Sequence, residues 1–172
     1  VDFEGAYASD PDQVAGNVAR LIETGAVGIN FEDQIVGTKD LYPMGEQAER
    51  IKAARAAANA SGVPLFINAR TDLFLKAGPE SDHRALVSEA LERARAYADA
   101  GADGFFVPML SDPGLITEVC AQSPLPVNVM SRIGATSFND ITALGVARQS
   151  FGPAPYFKAM KDLATDFEAA TA

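Results

Sequence analysis

The chain has 172 residues, enough for one domain with a sizeable hydrophobic core. It carries 23 acidic and 14 basic residues, and the net charge of −9 argues against nucleic acid or an anionic membrane as a partner. The one cysteine excludes an internal disulfide framework, and no apolar run is long enough to span a bilayer. We therefore expect a cytoplasmic enzyme without a signal peptide.

Helices and strands alternate along the chain, and small turns with Gly or Pro separate them. The pattern predicts helices in the segments VAGNVARLIETGA, MGEQAERIKAARAAANASG, HRALVSEALERARAYADAG, DPGLITEVCAQS, FNDITALG and APYFKAMKDLATDFEAATA. Short apolar strands are predicted near residues 1–4, 27–32, 64–70, 103–107, 125–129 and 146–151. Such alternation predicts a parallel sheet with helices on its faces, in one domain of residues 1–172.

Polar side chains gather at the carboxyl ends of these otherwise apolar strands. In proteins with a parallel sheet or barrel, the edge formed by the carboxyl ends of the strands carries the active site. The clustering is therefore more informative than any one of its members. The residues concerned, in chain order, are Glu4, Glu32, Asp33, Arg70, Asp72, Asn128 and Ser150.

The opening segment VDFEGAYA places two acids close together. Asp2 and Glu4 are two positions apart on a predicted strand, so they are expected on the same face. Neighbouring carboxylates repel each other unless a cation lies between them. The simpler alternatives are a solvated Asp2 and a Glu4 that caps the next helix, although Ser9 or Asp10 is available for that cap.

Arg70 follows the apolar run LFIN and is therefore expected to be buried. A buried guanidinium needs an anionic partner, and two are open: a substrate carboxylate, or a neighbouring acid such as Glu32. Taken alone, Glu32 and Asp33 could also be ordinary loop acids. An arginine and several acids at one sheet edge suit a divalent cation with an anionic, oxygen-rich substrate.

Three other reactive residues have structural explanations. His83 lies among ESDHR at a helix start and is expected at the surface. Cys120 shares a helix face with apolar residues and is predicted to belong to the core. Tyr97 is expected to serve packing.

The motifs VDFEGAYA, AVGINFEDQ, LFINARTD, AGADGFFVP, LPVNVM and GVARQSFGP together resemble the isocitrate lyase/phosphoenolpyruvate mutase superfamily. The resemblance covers essentially the whole chain. It implies a (β/α)₈ TIM barrel that binds Mg²⁺, or Mn²⁺, at the carboxyl ends of its strands. It also implies cleavage or formation of C–C or P–C bonds next to a 2-oxo acid, through an enolate.

The resemblance also assigns roles to individual residues. Asp2 and Glu4 resemble the family's acid pair at the metal, and Glu32 resembles an acid of its second metal shell. Arg70 resembles the arginine that binds the substrate carboxylate, and Asn128 a polar substrate contact on the seventh barrel strand.

By the same resemblance, the sequence covers about six βα units, barrel strands 3 to 8. A six-stranded remnant would expose two strand edges, so we expect barrel strands 1 and 2 to exist outside this sequence.

The segment DQIVGTKDLYPM departs from the family patterns. It lacks the Lys-Lys-Cys-Gly-His signature of isocitrate and methylisocitrate lyases and the Lys-x-Asn-Ser pattern of phosphonate-processing members. Pro108 stands where the mutase has a histidine. We expect the loop from Gln34 to Met44 to act as a mobile lid, with Lys39 as its catalytic proton-transfer or charge-stabilising group.

Three functions remain open. The first is a Mg²⁺-dependent lyase or decarboxylase that cleaves a C–C bond of a small 2-oxo or 2-hydroxy dicarboxylate. The second is a P–C bond hydrolase or mutase that acts on a phosphonate. The third is a non-catalytic barrel that binds a carboxylate, or a scaffold subunit. The expected partners are a small carboxylate substrate and further copies of the chain, in a dimer or tetramer.

Overall fold

The computed structural model describes residues 1–78, 80–131 and 137–171. Within these residues five strands form one sheet in which spatial order equals chain order and every neighbouring pair is parallel. The predicted parallel sheet of a βα repeat is therefore confirmed. The strands are β1 (Gly28–Glu32), β2 (Phe66–Arg70), β3 (Gly104–Val107), β4 (Val127–Met130) and β5 (Arg148–Ser150).

Helices alternate with the strands as the sequence predicts. Asp10 caps the first helix by accepting hydrogen bonds from two backbone N–H groups, and Gly25 follows its end with a φ of 88°. The third helix has only five residues and was not predicted. The helices are α1 (Pro11–Glu23), α2 (Met44–Ala60), α3 (Leu73–Ala77), α4 (His83–Asp99), α5 (Pro113–Gln122), α6 (Phe138–Ala143) and α7 (Ala154–Thr171).

The two faces of the sheet have different compositions. Apolar residues on one face pack under the helices and form the core, and they include Ile29, Phe31, Ile67, Ala69, Phe105, Val107, Val127 and Val129. Because side chains alternate along a strand, the polar residues lie on the other face. There Asn68 donates a hydrogen bond to Asn30 at 2.8 Å.

Residues 1–4 do not form the predicted strand. They lie parallel to β1, but only Asp2 forms a bridge, with Asn30. The reason is a turn that follows at once: Glu4 has a φ of 46°, in the left-handed region, and Ala6 and Tyr7 share that conformation. The alternation that would place Asp2 and Glu4 on one face therefore stops before Glu4.

Arg50 of α2 holds this turn in place. Its guanidinium donates hydrogen bonds to the backbone carbonyls of Gly5 and Ala8, and it stacks 3.9 Å from the ring centroid of Tyr42. Its other terminal nitrogen donates to Gln47. Arg50 is almost completely buried, and the carbonyls, Gln47 and the ring supply partners for its terminal nitrogens, whereas its Nε has no hydrogen-bond partner among the described residues.

The helix α7 differs from the other long helices because none of its residues is buried. Among the described helices, none combines the length and apolar character needed to cross a membrane. Large apolar side chains on and beside α7 are instead exposed: Phe151, Tyr156, Phe157, Met160, Leu163 and Phe167.

Candidate active site

The site centres on an ion pair between two neighbouring strand ends. Glu32 and Arg70 are register partners at the ends of β1 and β2, and Glu32 Oε1 lies 2.6 Å from Arg70 Nη1. Gln34 donates a hydrogen bond to the other oxygen of Glu32. Burial raises the pKa of Glu32, while the charge of Arg70 acts in the opposite direction. Of the two partners that the sequence left open for Arg70, the neighbouring acid is present.

A second carboxylate, that of Asp72, binds the other side of the Arg70 guanidinium. Arg70 Nε donates to Asp72 Oδ1 at 2.6 Å, and Nη2 donates to Oδ2 at 3.2 Å. The Asp72 side chain is fully buried. Arg70 is thus oriented by two carboxylates, with Asp72 on its Nε–Nη2 edge and Glu32 at Nη1.

Asp33 connects this site to α4. Its carboxylate accepts hydrogen bonds from the backbone N–H of Asp72 at 2.9 Å, from Tyr97 Oη at 2.8 Å and from Arg93 Nη1 at 3.0 Å. Burial raises the pKa of Asp33, and these three donors act against that effect. Asp33 is therefore a buried, fully bonded residue and not a solvated loop acid.

The predicted metal ligands are only loosely assembled. Asp2 and Glu4 are both exposed; Asp2 forms its bridge with Asn30, two positions before Glu32 on β1, and its charge contributes to the raised pKa of Glu32. Within the described residues, no three His, Cys, Asp or Glu side chains form a group that could hold a metal ion. Mg²⁺ commonly keeps several waters and uses one or two carboxylates, so Asp2 beside Glu32 would supply enough oxygen ligands for that ion, without Glu4 on the same face.

Asn128 lies two strands away from Arg70 on the same face. It is buried and donates a hydrogen bond to Ser150 Oγ at 3.1 Å. Phe106 stands between the two in register, with its ring centroid 5.7 Å from the Arg70 guanidinium carbon. The arginine and the amide therefore flank a buried aromatic ring.

The predicted lid is a folded loop that carries Lys39 at its exposed tip. Ile35 N–H donates to Asp40 O at 3.0 Å across the loop. Lys76 of α3 donates to Thr38 O at 2.8 Å and ties the tip to the helix after Arg70. Closure of this loop over a ligand stays a prediction.

Sequence reasoning missed Arg93 and took Tyr97 for packing alone. Both lie four residues apart on the face of α4 that also buries Ala90 and Ala94. A charged residue in the apolar stripe of a helix needs a buried partner, and this signal could have pointed to Asp33.

A separate cavity of about 730 Å³ lies among the starts of α4, α5 and α7 and the end of β4. None of the residues predicted for the site lines it. Its lining includes Ser131, the last described residue before 132–136, and it is mostly apolar. The cavity therefore lies at the same carboxyl edge of the sheet as the polar strand ends, beside β3, β4 and β5, without including the predicted site residues.

A parallel sheet with helices on it and polar residues at the carboxyl ends of its strands is typical of α/β enzymes, among them the barrel enzymes. The sequence profile of phosphoenolpyruvate phosphomutase matches residues 1–171. The chain therefore belongs to the phosphoenolpyruvate phosphomutase family, within the isocitrate lyase/phosphoenolpyruvate mutase superfamily. The predicted family and fold class are confirmed.

Individual relatives agree with this assignment. A crystal structure of a candidate phosphonomutase from Burkholderia cenocepacia is 48% identical, with a TM-score of 0.94 over 99% of this chain and 68% of that one. An uncharacterized protein of Mycobacterium tuberculosis is 36% identical over 91% of this chain and 55% of its own length. The 2-methylisocitrate lyase of Salmonella typhimurium is 32% identical over 79% and 45%. The chain thus spans about half the length of these two curated relatives.

Proposed function

We propose that the protein is a Mg²⁺- or Mn²⁺-dependent lyase or decarboxylase that cleaves a C–C bond of a small 2-oxo or 2-hydroxy dicarboxylate through an enolate. One observation carries the proposal: Arg70 is fixed between two buried carboxylates at the carboxyl end of a parallel sheet. A purely structural scaffold has no need for such a cluster at this edge. Similarity to a 2-methylisocitrate lyase supports the choice of C–C chemistry.

In this proposal Arg70 binds one substrate carboxylate through the N–H groups of Nη1 and Nη2 that Glu32 and Asp72 do not occupy. The ring of Phe106 beside it excludes water from one side of the ion pair, which strengthens the interaction. Asn128 contributes an amide for a substrate oxygen. Lys39 supplies or accepts a proton, or neutralises developing charge, when its loop closes.

Asp2 and Glu4 are the residues that would hold the metal directly, as the family resemblance implies; both carboxylates are exposed, but the turn at Glu4 means that they do not approach the metal from one strand face. Glu32 would act through water, since Arg70 and Gln34 already occupy its two oxygens. When bound, a divalent cation supplies the positive charge that stabilises the enolate oxygen.

A P–C bond hydrolase or mutase is the second candidate. The 48% identity to a candidate phosphonomutase favours it. A phosphonate also needs a cation and an arginine, so the same side chains would serve both substrates.

We further propose that the protein is a homo-oligomer. The exposed apolar side chains of α7 support this proposal, because a helix with an uncovered apolar stripe normally packs on another surface.

The decisive experiment incubates the full-length protein with a panel of 2-oxo and 2-hydroxy dicarboxylates and phosphonates, with Mg²⁺ or with EDTA, and follows products by NMR. Metal-dependent C–C cleavage is the expected result. Turnover of phosphonates alone would replace the first proposal by the second. Binding of a dicarboxylate without turnover of any compound would identify a non-catalytic carboxylate-binding barrel.

A further inference from the structure

Asp72 occupies the position directly before α3, where an aspartate commonly caps the helix. Its carboxylate makes no such cap. Both oxygens instead accept hydrogen bonds from Arg70, and the side chain is fully buried. The buried carboxylate of Asp72 therefore binds Arg70 and does not cap α3.

The position of Asp72 is fixed in turn by Asp33. Asp33 Oδ1 accepts the backbone N–H of Asp72 at 2.9 Å, and Oδ2 is held by Tyr97 and Arg93 of α4. Asp33 is completely buried and Arg93 almost so. A continuous chain of hydrogen bonds therefore runs from the long helix α4 to the guanidinium at the strand end.

This series of hydrogen bonds determines which edge of the Arg70 guanidinium faces a ligand. Asp72 covers the Nε–Nη2 edge and Glu32 lies against Nη1, so a substrate carboxylate would use the N–H groups of Nη1 and Nη2 that these two acids do not occupy. If Asp72 were lost, the guanidinium could rotate and its fork would no longer be held for a planar anion.

We propose that Asp72 is a positioning residue that orients Arg70 toward the substrate carboxylate, and that Asp33, held by Arg93 and Tyr97, anchors Asp72. The inference rests on the proposed function, because it requires a carboxylate substrate at Arg70. In this scheme Arg70 is the only one of these five residues that binds the substrate. The four residues behind it do not touch the substrate; they are Asp72, Asp33, Arg93 and Tyr97.

The test compares Asp72→Asn and Asp33→Asn with wild type in the full-length protein. Asn keeps the size of the side chain, but its NH₂ group faces a donor of Arg70, so the bidentate pair is lost. We expect KM for the best substrate to rise about 10- to 100-fold, the range for a lost hydrogen bond to a charged group, with a much smaller change in kcat. Tyr97→Phe removes a single donor to Asp33 and provides a milder variant if Asp33→Asn does not fold.

Asp103→Asn is the matched control. Asp103 forms an ion pair with Arg55 and accepts the backbone N–H of Ile67 at 2.8 Å, so it repeats the Asp–Arg–backbone arrangement just before β3, at the opposite end of the sheet. We expect this control to lower the melting temperature without changing KM.

A second readout does not depend on turnover. In ¹⁵N-labelled protein the Nε–H of Arg70 should be shifted and protected from exchange, and Asp72→Asn should remove this signature. Unchanged KM and an unchanged Arg70 signal in the folded variants would overturn the inference while leaving the proposed function intact. A wild-type protein that neither binds nor converts any compound of the panel would refute the proposed function, and the inference with it.

Discussion

Glu32 and Arg70 stand opposite each other in neighbouring parallel strands, and their side chains meet at 2.6 Å. Asp72 binds the same guanidinium, so one positive charge is shared by two carboxylates. A third carboxylate, from a substrate, would face net negative charge at this position. We therefore expect a dicarboxylate to bind well only when a second cation is present.

The first prediction is that metal and substrate bind cooperatively. Mg²⁺ should increase the affinity for a 2-oxo dicarboxylate, and the acid should increase the affinity for Mg²⁺ by the same factor. Thermal unfolding of the full-length protein measures this coupling, because a ligand at about 100 times its Kd adds about 2.7 kcal/mol to the free energy of unfolding. Asp2→Asn should abolish the coupling, whereas Asp99→Asn, an exposed acid on α4, should not. Equal shifts by the acid with Mg²⁺ and with EDTA would contradict the prediction.

The second prediction concerns Arg70→Lys. Lysine keeps the charge but cannot meet Asp72 in a bidentate pair or present a fork to the substrate. Affinity for the substrate should fall about 10- to 100-fold. Calorimetry with the best substrate measures this change, and Arg95→Lys, at an exposed position of α4, serves as the control. Near-wild-type affinity would show that Arg70 is only the ion-pair partner of Glu32 and Asp72.

The third prediction concerns Lys39→Ala. A proton-transfer group contributes on the order of 100-fold or more to kcat, so its loss should lower kcat by about that factor. Steady-state kinetics tests this, with Lys52→Ala as the control because Lys52 is an exposed helix residue paired with Glu49. An unchanged kcat, with the loop still ordering when ligand binds, would remove Lys39 from the mechanism.

The fourth prediction concerns Cys120, which is partly buried on α5. Burial raises the pKa of its thiol, so little thiolate is present near neutral pH. Alkylation should be slow in the native protein and fast after unfolding, and Cys120→Ala should retain activity. Loss of activity in a folded variant would point to a thiol-based mechanism.

The alternation of elements was predictable because helix and strand periodicities differ and Gly or Pro marks the boundaries. The prediction of a strand at residues 1–4 was wrong, because the composition of VDFE does not reveal the left-handed turn at Glu4 that Arg50 stabilises. The helix α3 was missed because five residues are too few to show a period.

The site was predictable in its strand-end acids and Arg70, but not in how they connect. Asp33 follows Glu32 in sequence, and nothing local shows that its partners Arg93 and Tyr97 come from a helix some sixty residues later. Such contacts are set by the packing of α4 against the sheet, which sequence spacing alone does not specify.

The hydrogen bonds of Arg50 to the carbonyls of Gly5 and Ala8 join two segments that are synthesised at different times. Residues 2–8 leave the ribosome long before Arg50 does, and three residues among them adopt left-handed backbone angles that a free chain rarely populates. Only when α2 docks can its guanidinium capture the carbonyls of Gly5 and Ala8. A nascent chain that stops short of Arg50 therefore lacks the donor that holds the turn after Glu4, even though every acid of that segment has already been made.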